Sequence, residues 1–337
     1  MDAARRRRAG VDLRPFDAGR IGDIVALWNA AFAPSFPLRE VLLRQNMLLD
    51  PHFDPAGAWL ACDATGGGRL VGCAVAKVAR EPLGADGLRL DRGWLSVVAV
   101  HPGHRRRGIG TALVRAAEAF LRAHDRPTAV LGGDPAHFFP GVPDGSGAPE
   151  FFQTAGYALR GEAYDLRRSL DGYRTPETVT AARAANSGVE VRPLRAGEEA
   201  ALLRFLDAVF PGRWRYTVAR FLEHGGPVDD VMGAVKGGEV AGFAMLFHPR
   251  SCWIGPSIAW AGPSDGARPA EGGLGPMGLA PELRGRGLGH VLLDRAMVHL
   301  ATLGVREMVI DWTILLDFYG ALGFAPWRRY RHGQRVL

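Results

Sequence analysis

The 337-residue chain has few cysteines, few lysines and no long hydrophobic run. Its three cysteines, Cys62, Cys73 and Cys252, lack CxxC spacing, which argues against a disulfide framework or a zinc site and favours a reducing cytoplasm. No apolar run approaches the roughly 20 residues that a membrane helix needs. No hydrophobic segment follows the arginines at positions 5–8 either. We therefore expect a soluble, unexported, cytoplasmic protein without a membrane partner.

Lysine is nearly absent, because only Lys77 and Lys236 are lysines among 41 basic residues. The net charge of +6 would attract phosphate-bearing partners in general. Such an arginine excess is more typical of codon bias than of nucleic-acid recognition. The run Arg5–Arg8 is interpreted as a solvated tail.

The length exceeds what one hydrophobic core usually holds, and a short glycine pattern occurs twice, which together indicate two domains. Arg105–Gly110 reads RRRGIG, and Arg284–Gly289 reads RGRGLG 179 positions later. Around each copy the predicted order is the same: strand, two helices, hairpin, strand, helix, strand, then a helix and a strand. The predicted domains are residues 1–172 and 189–337, joined by a polar, partly helical linker at 173–188.

Each glycine pattern predicts an anion site at the start of a helix. Glycines there let backbone N–H groups face outward beside the positive end of the helix dipole. A P-loop would require a lysine, which neither copy has, and a dinucleotide-binding fingerprint would require glycine where Leu113 and Leu292 stand. The sequence therefore predicts a phosphate site of another kind.

The pattern R/Q-x-x-G-x-G/A behind a strand that ends near proline resembles motif A of the GNAT superfamily of acyl-CoA-dependent N-acyltransferases. It occurs in VVAVHPGHRRRGIGTAL and in GLAPELRGRGLGHVLL. The second copy continues with FYGALGF at 318–324, which resembles motif B of that family. The tandem arrangement is similar to the mycothiol synthase group, and LGGDPAHFFPG at 131–141 resembles GNAT domains found with bacterial hexosaminidases.

The resemblance implies an α/β fold of two tandem GNAT domains. Each would have a mixed central β-sheet flanked by helices, with a splayed pair of parallel strands that holds coenzyme A. It implies acetyl-CoA as co-substrate and no metal. The residues placed at the coenzyme are Val98, Val100, Arg105, Arg106, Arg107, Gly108, Ile109, Gly110, Thr111, Met277, Leu279, Arg284, Gly285, Arg286, Gly287, Leu288, Gly289 and His290.

The resemblance also implies that the second domain is catalytic. Tyr319 stands where the family often has a tyrosine that protonates the departing thiolate, whereas the first copy has Phe152. Asp311 is the candidate general base, with Asp317 nearby; the alternative is a structural aspartate that caps the following helix. Trp312 stands where the family often has asparagine.

In the first domain, Asp134, His137 and Glu81 either contact substrate or are ordinary loop residues. The predicted function is an N-acetyltransferase in which a small-molecule amine attacks the thioester directly, in a monomer or a homodimer. Two alternatives remain. One is a GNAT-fold transferase that takes its acyl group from aminoacyl-tRNA, which the arginine excess would suit. The other is a non-catalytic protein that senses acyl-CoA.

Overall fold

The computed structural model describes residues 11–64, 67–262 and 269–337. The arginines at 5–8 and Gly66 of the predicted hairpin turn lie outside these ranges. The described residues divide into two compact units. The first unit comprises residues up to Pro82, then Leu88–Ala163 and Tyr330–Leu337. The second unit comprises Leu83–Gly87 and Tyr164–Arg329.

This division differs from the predicted boundaries at 172 and 189. Two long strands, β7 at Ala158–Ser169 and β13 at Ala325–Val336, each begin in one unit and end in the other. The polar composition of residues 173–188 does not show where these strands pass from one unit to the other. The residue pattern of a strand does not change at such a point. The predicted linker itself contains helix α5, Glu177–Ala185, which belongs to the second unit.

The first unit contains a sheet in the order β1-β2-β3-β4-β5, followed by the end of β13. Neighbouring strands in this sheet are antiparallel, except for the parallel pair β4 and β5. Its elements are β1 Val11–Pro15, α1 Ile21–Phe32, α2 Glu40–Asn46, β2 Ala58–Asp63, β3 Leu70–Lys77, β4 Gly93–Val100, α3 Ile109–Ala123, β5 Thr128–Leu131, β6 Val142–Pro143, α4 Ala148–Thr154 and the start of β7.

The core of the first unit lies between this sheet and α3. Leu113, Ala117 and Leu121 recur every four residues and are each fully buried, as expected for the apolar face of an amphipathic helix. Every residue of β3 is buried, because α3 and other elements cover both faces of this central strand. The helix that starts at the first glycine motif is thereby held firmly against the sheet.

The second unit contains a sheet in the order β7-β12-β11-β10-β9-β8. The strand pair β11 and β12 is parallel, and the others are antiparallel. Its elements, besides the parts of β7 and β13, are α5, β8 Val189–Pro193, α6 Glu199–Val209, α7 Arg213–Glu223, β9 Val231–Lys236, β10 Glu239–Phe247, β11 Glu271–Leu279, α8 Leu288–Thr302, β12 Glu307–Thr313 and α9 Leu316–Gly320.

In each unit the two parallel strands separate after a few residues. The pairing of β4 with β5 covers only Gly93–Leu95, and that of β11 with β12 covers only Glu271–Leu274. Leu95 and Leu274 occupy the same position relative to the two glycine motifs. The predicted splayed pair is therefore confirmed in both repeats. Within the described residues, no helix is both long and apolar enough to cross a membrane.

Candidate functional site

Helices α3 and α8 both begin at a glycine in the left-handed conformation. Gly108 has φ +81° and Gly287 has φ +77°, values that favour glycine because a Cβ would strain the backbone. Among the residues that the structure describes, no side chain caps the first turn of either helix. The residues from the first arginine to this glycine are exposed in both copies. The uncapped N–H groups form a cradle that fits a phosphate or diphosphate.

The first arginine of each motif holds its loop against the preceding strand. Arg105 donates from Nε to the carbonyl of Val100 at 3.2 Å, and Arg284 donates from Nε to that of Leu279 at 3.0 Å. In both copies the two bonded residues are the same number of positions apart in sequence. The bond therefore holds the two loops in the same geometry. Each guanidinium also adds positive charge beside the cradle, where an anionic ligand would benefit from it.

The two motifs of the second unit pack directly on each other. The Nε2 of His290 lies 3.0 Å from the carbonyl oxygen of Phe318. The His290 and Phe318 rings stack, with their centroids 4.6 Å apart. A Cβ on Gly289 would lie 3.1 Å from the Phe318 ring. The imidazole of His290, predicted at the coenzyme, is thus engaged with α9. This contact fixes α9 relative to the start of α8.

Beyond the last paired residues, the edges of β4 and β11 that face the gap have no partner strand among the described residues. Backbone groups on these edges are therefore available to a ligand in the gap. Val98, Val100 and Met277 are partly exposed there, whereas the Leu279 side chain is buried. An extended chain with amide groups could hydrogen-bond along such an edge.

Strand β11 has glycines where β4 carries side chains. Gly273 and Gly275 correspond by position to Trp94 and Ser96. A Cβ on Gly275 would lie 2.9 Å from Oδ1 of Asp311, and a Cβ on Gly273 would collide with Ser257. The bare strand therefore allows side chains of other elements, including the predicted base, to approach it closely.

Asp311 and Tyr319 form the chemically distinctive part of the second unit. Burial and the nearby Asp165 carboxylate raise the pKa of Asp311 to about 7, although Arg213 opposes the shift. Burial and then the charge of Asp311 raise the pKa of Tyr319, so its hydroxyl stays protonated at neutral pH. Asp317, the alternative base, is exposed. A proton acceptor, Asp311, thus lies beside Gly275 on β11, and a proton donor, the Tyr319 hydroxyl, lies close enough to respond to its charge.

The first unit has a different buried cluster at the corresponding end of its sheet. The Nζ of Lys77 lies 2.7 Å from Oδ2 of Asp50 and 2.7 Å from Oδ1 of Asp134. The hydroxyl of Ser96 donates a hydrogen bond to Asp134. Despite the opposing effect of burial, Asp134 and Asp50 raise the pKa of Lys77. Asp134, a candidate for substrate contact, is thus an ion-pair partner within the core. Its partner Lys77 was missed, although a lysine that ends an apolar strand was the available signal.

A family model described as the acetyltransferase (GNAT) family matches residues 22–137 and, a second time, residues 201–324. The chain belongs to the GNAT acetyltransferase family. It is an N-acetyltransferase, and each match includes one glycine motif and the splayed strands beside it. The predicted family, fold and enzyme class are confirmed. Among the described residues, no group of three or more His, Cys, Asp or Glu side chains could hold a metal ion.

Curated relatives of this GNAT protein are mycothiol acetyltransferases. That of Geodermatophilus obscurus is 29% identical over 95% of this chain and 97% of its own length, and that of Kocuria rhizophila is 25% identical over 94% and 97%. These matches run through both repeats. The tandem organisation is therefore a feature that this chain shares with them.

Among solved structures, the glucosamine N-acetyltransferase region of a fungal multi-domain GH3 β-N-acetylglucosaminidase is 25% identical, with a TM-score of 0.84. The match covers 96% of this chain and 38% of that longer protein. A tandem GNAT protein from the clavulanic acid biosynthesis pathway is 21% identical, with a TM-score of 0.62 over 96% and 98% of the two chains. The second likeness shows the fold alone.

Proposed function

We propose that the second unit transfers an acetyl group from acetyl-CoA to the primary amine of a small molecule. The observation that carries the proposal is that Asp311 lies beside Gly275 on the open edge of β11, with the Tyr319 hydroxyl close enough to respond to its charge. The first unit has Phe152 at the position of Tyr319 and Gly132 at that of Asp311, so it has neither group. We therefore assign catalysis to residues of the second unit.

Acetyl-CoA suits the two anion cradles and the splayed strands. Its diphosphate would lie at the start of α8 against the N–H groups of residues 287–289, and its amide-containing arm would run along the open edge of β11. A backbone N–H of β11 would stabilise the charge that develops on the thioester oxygen. The first unit has the same cradle and the same gap, so we propose that it binds a second coenzyme.

Starting from the ammonium form of the amine, the reaction needs two protons removed from the nitrogen and one supplied to the leaving thiolate. The amine, protonated in water near neutral pH, loses a proton to Asp311, and its nitrogen then attacks the carbonyl carbon of the thioester. When the tetrahedral intermediate collapses, the carbon–sulfur bond breaks, the thiolate takes the proton of the Tyr319 hydroxyl, and the second proton lost by the nitrogen restores that hydroxyl, while Asp311 returns the first proton to solvent. The products are the acetylated amine and coenzyme A. A base with a pKa of about 7 is matched to this task at neutral pH.

The acceptor that we propose is the free amine of glucosamine or of a glucosamine conjugate such as deacetylated mycothiol. The curated relatives are named for the acetylation of mycothiol, and the fungal region is named a glucosamine N-acetyltransferase. Asp165 and Asp311 would favour the approach of an ammonium group. Trp214, which is 38% exposed, and the partly exposed Trp312 offer ring faces of the kind that binds amphipathic ligands.

The test is an assay of coenzyme A thiol release from acetyl-CoA with a panel of amines. The panel holds glucosamine, deacetylated mycothiol, a lysine peptide and an aminoacyl-tRNA, the last offered also without acetyl-CoA. We expect turnover with glucosamine or with deacetylated mycothiol, and mass spectrometry should show one added acetyl group. Turnover that requires the charged tRNA, or coenzyme binding with no transfer to any amine, would contradict the proposal.

A further inference from the structure

Strand β12 is irregular at the residue that we propose as the base. Ile310 pairs with Leu166 and Thr313 pairs with Tyr164 on β7, so Asp311 and Trp312 together lie opposite the single residue Asp165. Two residues opposite one define a β-bulge, which bends the strand and redirects its side chains. Trp312 has φ +44°, an uncommon value for a residue other than glycine.

Asp165 is the residue that faces this bulge from the neighbouring strand. It is only 4% exposed, and its Oδ1 lies 3.4 Å from the backbone nitrogen of Trp312. Its Oδ2 lies 3.8 Å from a guanidinium nitrogen of Arg328. The carboxylate thus accepts a long hydrogen bond from the bulge itself, and Arg328 compensates part of the cost of burying its charge.

Charged and titratable groups reach Asp311 from three elements. Asp165 on β7 disfavours its ionised form, Arg213 on α7 favours that form, and the hydroxyl of Tyr319 on α9 lies close enough to respond to its charge. The guanidinium of Arg213 also lies 4.7 Å from the centre of the Trp312 ring, so it contacts the bulge as well. On strand β11, the backbone of Gly275 lies close to the Asp311 carboxyl.

On the basis of the function proposed for Asp311, we propose that Asp165 is a positioning residue for the transfer reaction. It holds the Asp311–Trp312 bulge, which directs the Asp311 carboxyl toward Gly275. It also supplies the second carboxylate that makes Asp311 a strong enough base to take a proton from an amine. The first unit has no counterpart, because β5 ends at Leu131 and glycine follows.

The test compares Asp165→Asn with the unchanged protein. Asparagine keeps an oxygen that can accept from the Trp312 N–H but loses the charge, so the pKa of Asp311 should fall by about one unit or more. Carbon-13 NMR of labelled aspartate carboxyls, assigned with Asp311→Asn, measures this pKa on the unliganded protein. The acid limb of the kcat profile should move to lower pH by the same amount. Glu239→Gln, which removes an exposed charge on β10, is the matched control.

Asp165→Glu is measured alongside and keeps the inference testable if the asparagine variant does not fold. Glutamate retains the charge, so the pKa of Asp311 should stay well above that of an ordinary aspartate. An unchanged Asp311 pKa in Asp165→Asn, or an ordinary one in a folded Asp165→Glu, would overturn the inference. If the NMR shift occurs but the unchanged protein acetylates no amine, the proposed function fails and the pairing of the two carboxylates stands.

Discussion

At the scale of single residues, one difference between the proposed catalytic unit and its repeat is the hydroxyl of Tyr319, which stands in place of Phe152. We predict that Tyr319→Phe lowers kcat by about 10²- to 10⁴-fold, the usual contribution of a general acid, with a similar Kd for acetyl-CoA. Steady-state kinetics and calorimetry measure the two quantities. Tyr173→Phe is the control, since the Tyr173 hydroxyl in the same unit bonds to Asp294 at 2.6 Å. An unchanged kcat in Tyr319→Phe would remove this hydroxyl from the mechanism.

The raised pKa of Asp311 also predicts how stability depends on pH. The folded protein binds the proton of the Asp311 carboxyl more tightly than the unfolded chain does. The stabilisation of the folded state that results is fully present below about pH 4 and is lost as the pH rises through about 7. The Asp311→Asn variant has no ionisable group at this position. At pH 8 its free energy of unfolding should exceed that of the unchanged protein by roughly 1 to 4 kcal/mol. Its advantage should be much smaller at pH 5.

Urea unfolding of both proteins at pH 5 and pH 8 measures this difference, and Glu239→Gln serves as the control for a lost exposed carboxylate. The same Asp311→Asn protein should have little acetyl-transfer activity at either pH. An equal stability difference at the two pH values would show that the Asp311 carboxyl is not desolvated in the folded protein.

Many residues of this site could be predicted from the sequence, but the residues that contact them could not. Tyr319 and the glycines were predicted because the motifs fix their spacing along the chain. Asp165, which faces Asp311, and the Lys77 cluster were not predicted. Such contacts depend on strand register and on side chains far apart in sequence, which a local pattern does not contain. The roles of Tyr319 and Asp311 stay predictions.

At the scale of secondary structure elements, the two glycine turns differ in what surrounds them. No atom of the described part of the chain lies within 4 Å of a Cβ placed on Gly108, whereas a Cβ on Gly287 would lie 2.7 Å from that of Ala182 on α5. Both substitutions to alanine strain a positive φ, at a cost of about 1 kcal/mol. We predict that Gly287→Ala lowers the free energy of unfolding more than Gly108→Ala, as measured by urea denaturation. Equal losses would mean that α5 does not pack on this turn.

Most elements could be predicted from hydrophobic periodicity, with ends shifted by one to several residues. The start of β11 is harder to predict, because Glu271–Gly273 belong to this strand and pair with β12 although two of the three residues are glycine. Glycines in this strand resembled a loop by composition, yet they permit the close approach of Ser257 and Asp311. The bulge in β12 left no local signal, because one extra residue in a strand changes pairing and not composition.

At the scale of the whole molecule, we propose two coenzyme cradles, one at each glycine turn, and one acid–base pair, Asp311 and Tyr319. We predict that calorimetry finds two equivalents of acetyl-CoA bound per chain. Arg107→Glu and Arg286→Glu should each weaken one of the two sites, because a negative charge at the cradle repels the diphosphate. Raising the salt concentration should weaken both sites of the unchanged protein. One equivalent in the unchanged protein would mean that one of the cradles is unused.

The most direct test of the central claim is a crystal structure of the protein with acetyl-CoA. We predict density for the coenzyme in the second unit, with the thioester sulfur within hydrogen-bond distance of the Tyr319 hydroxyl and the carbonyl beside the open edge of β11. Density for the acetyl group only in the first unit, or a thioester remote from Asp311 and Tyr319, would contradict the account.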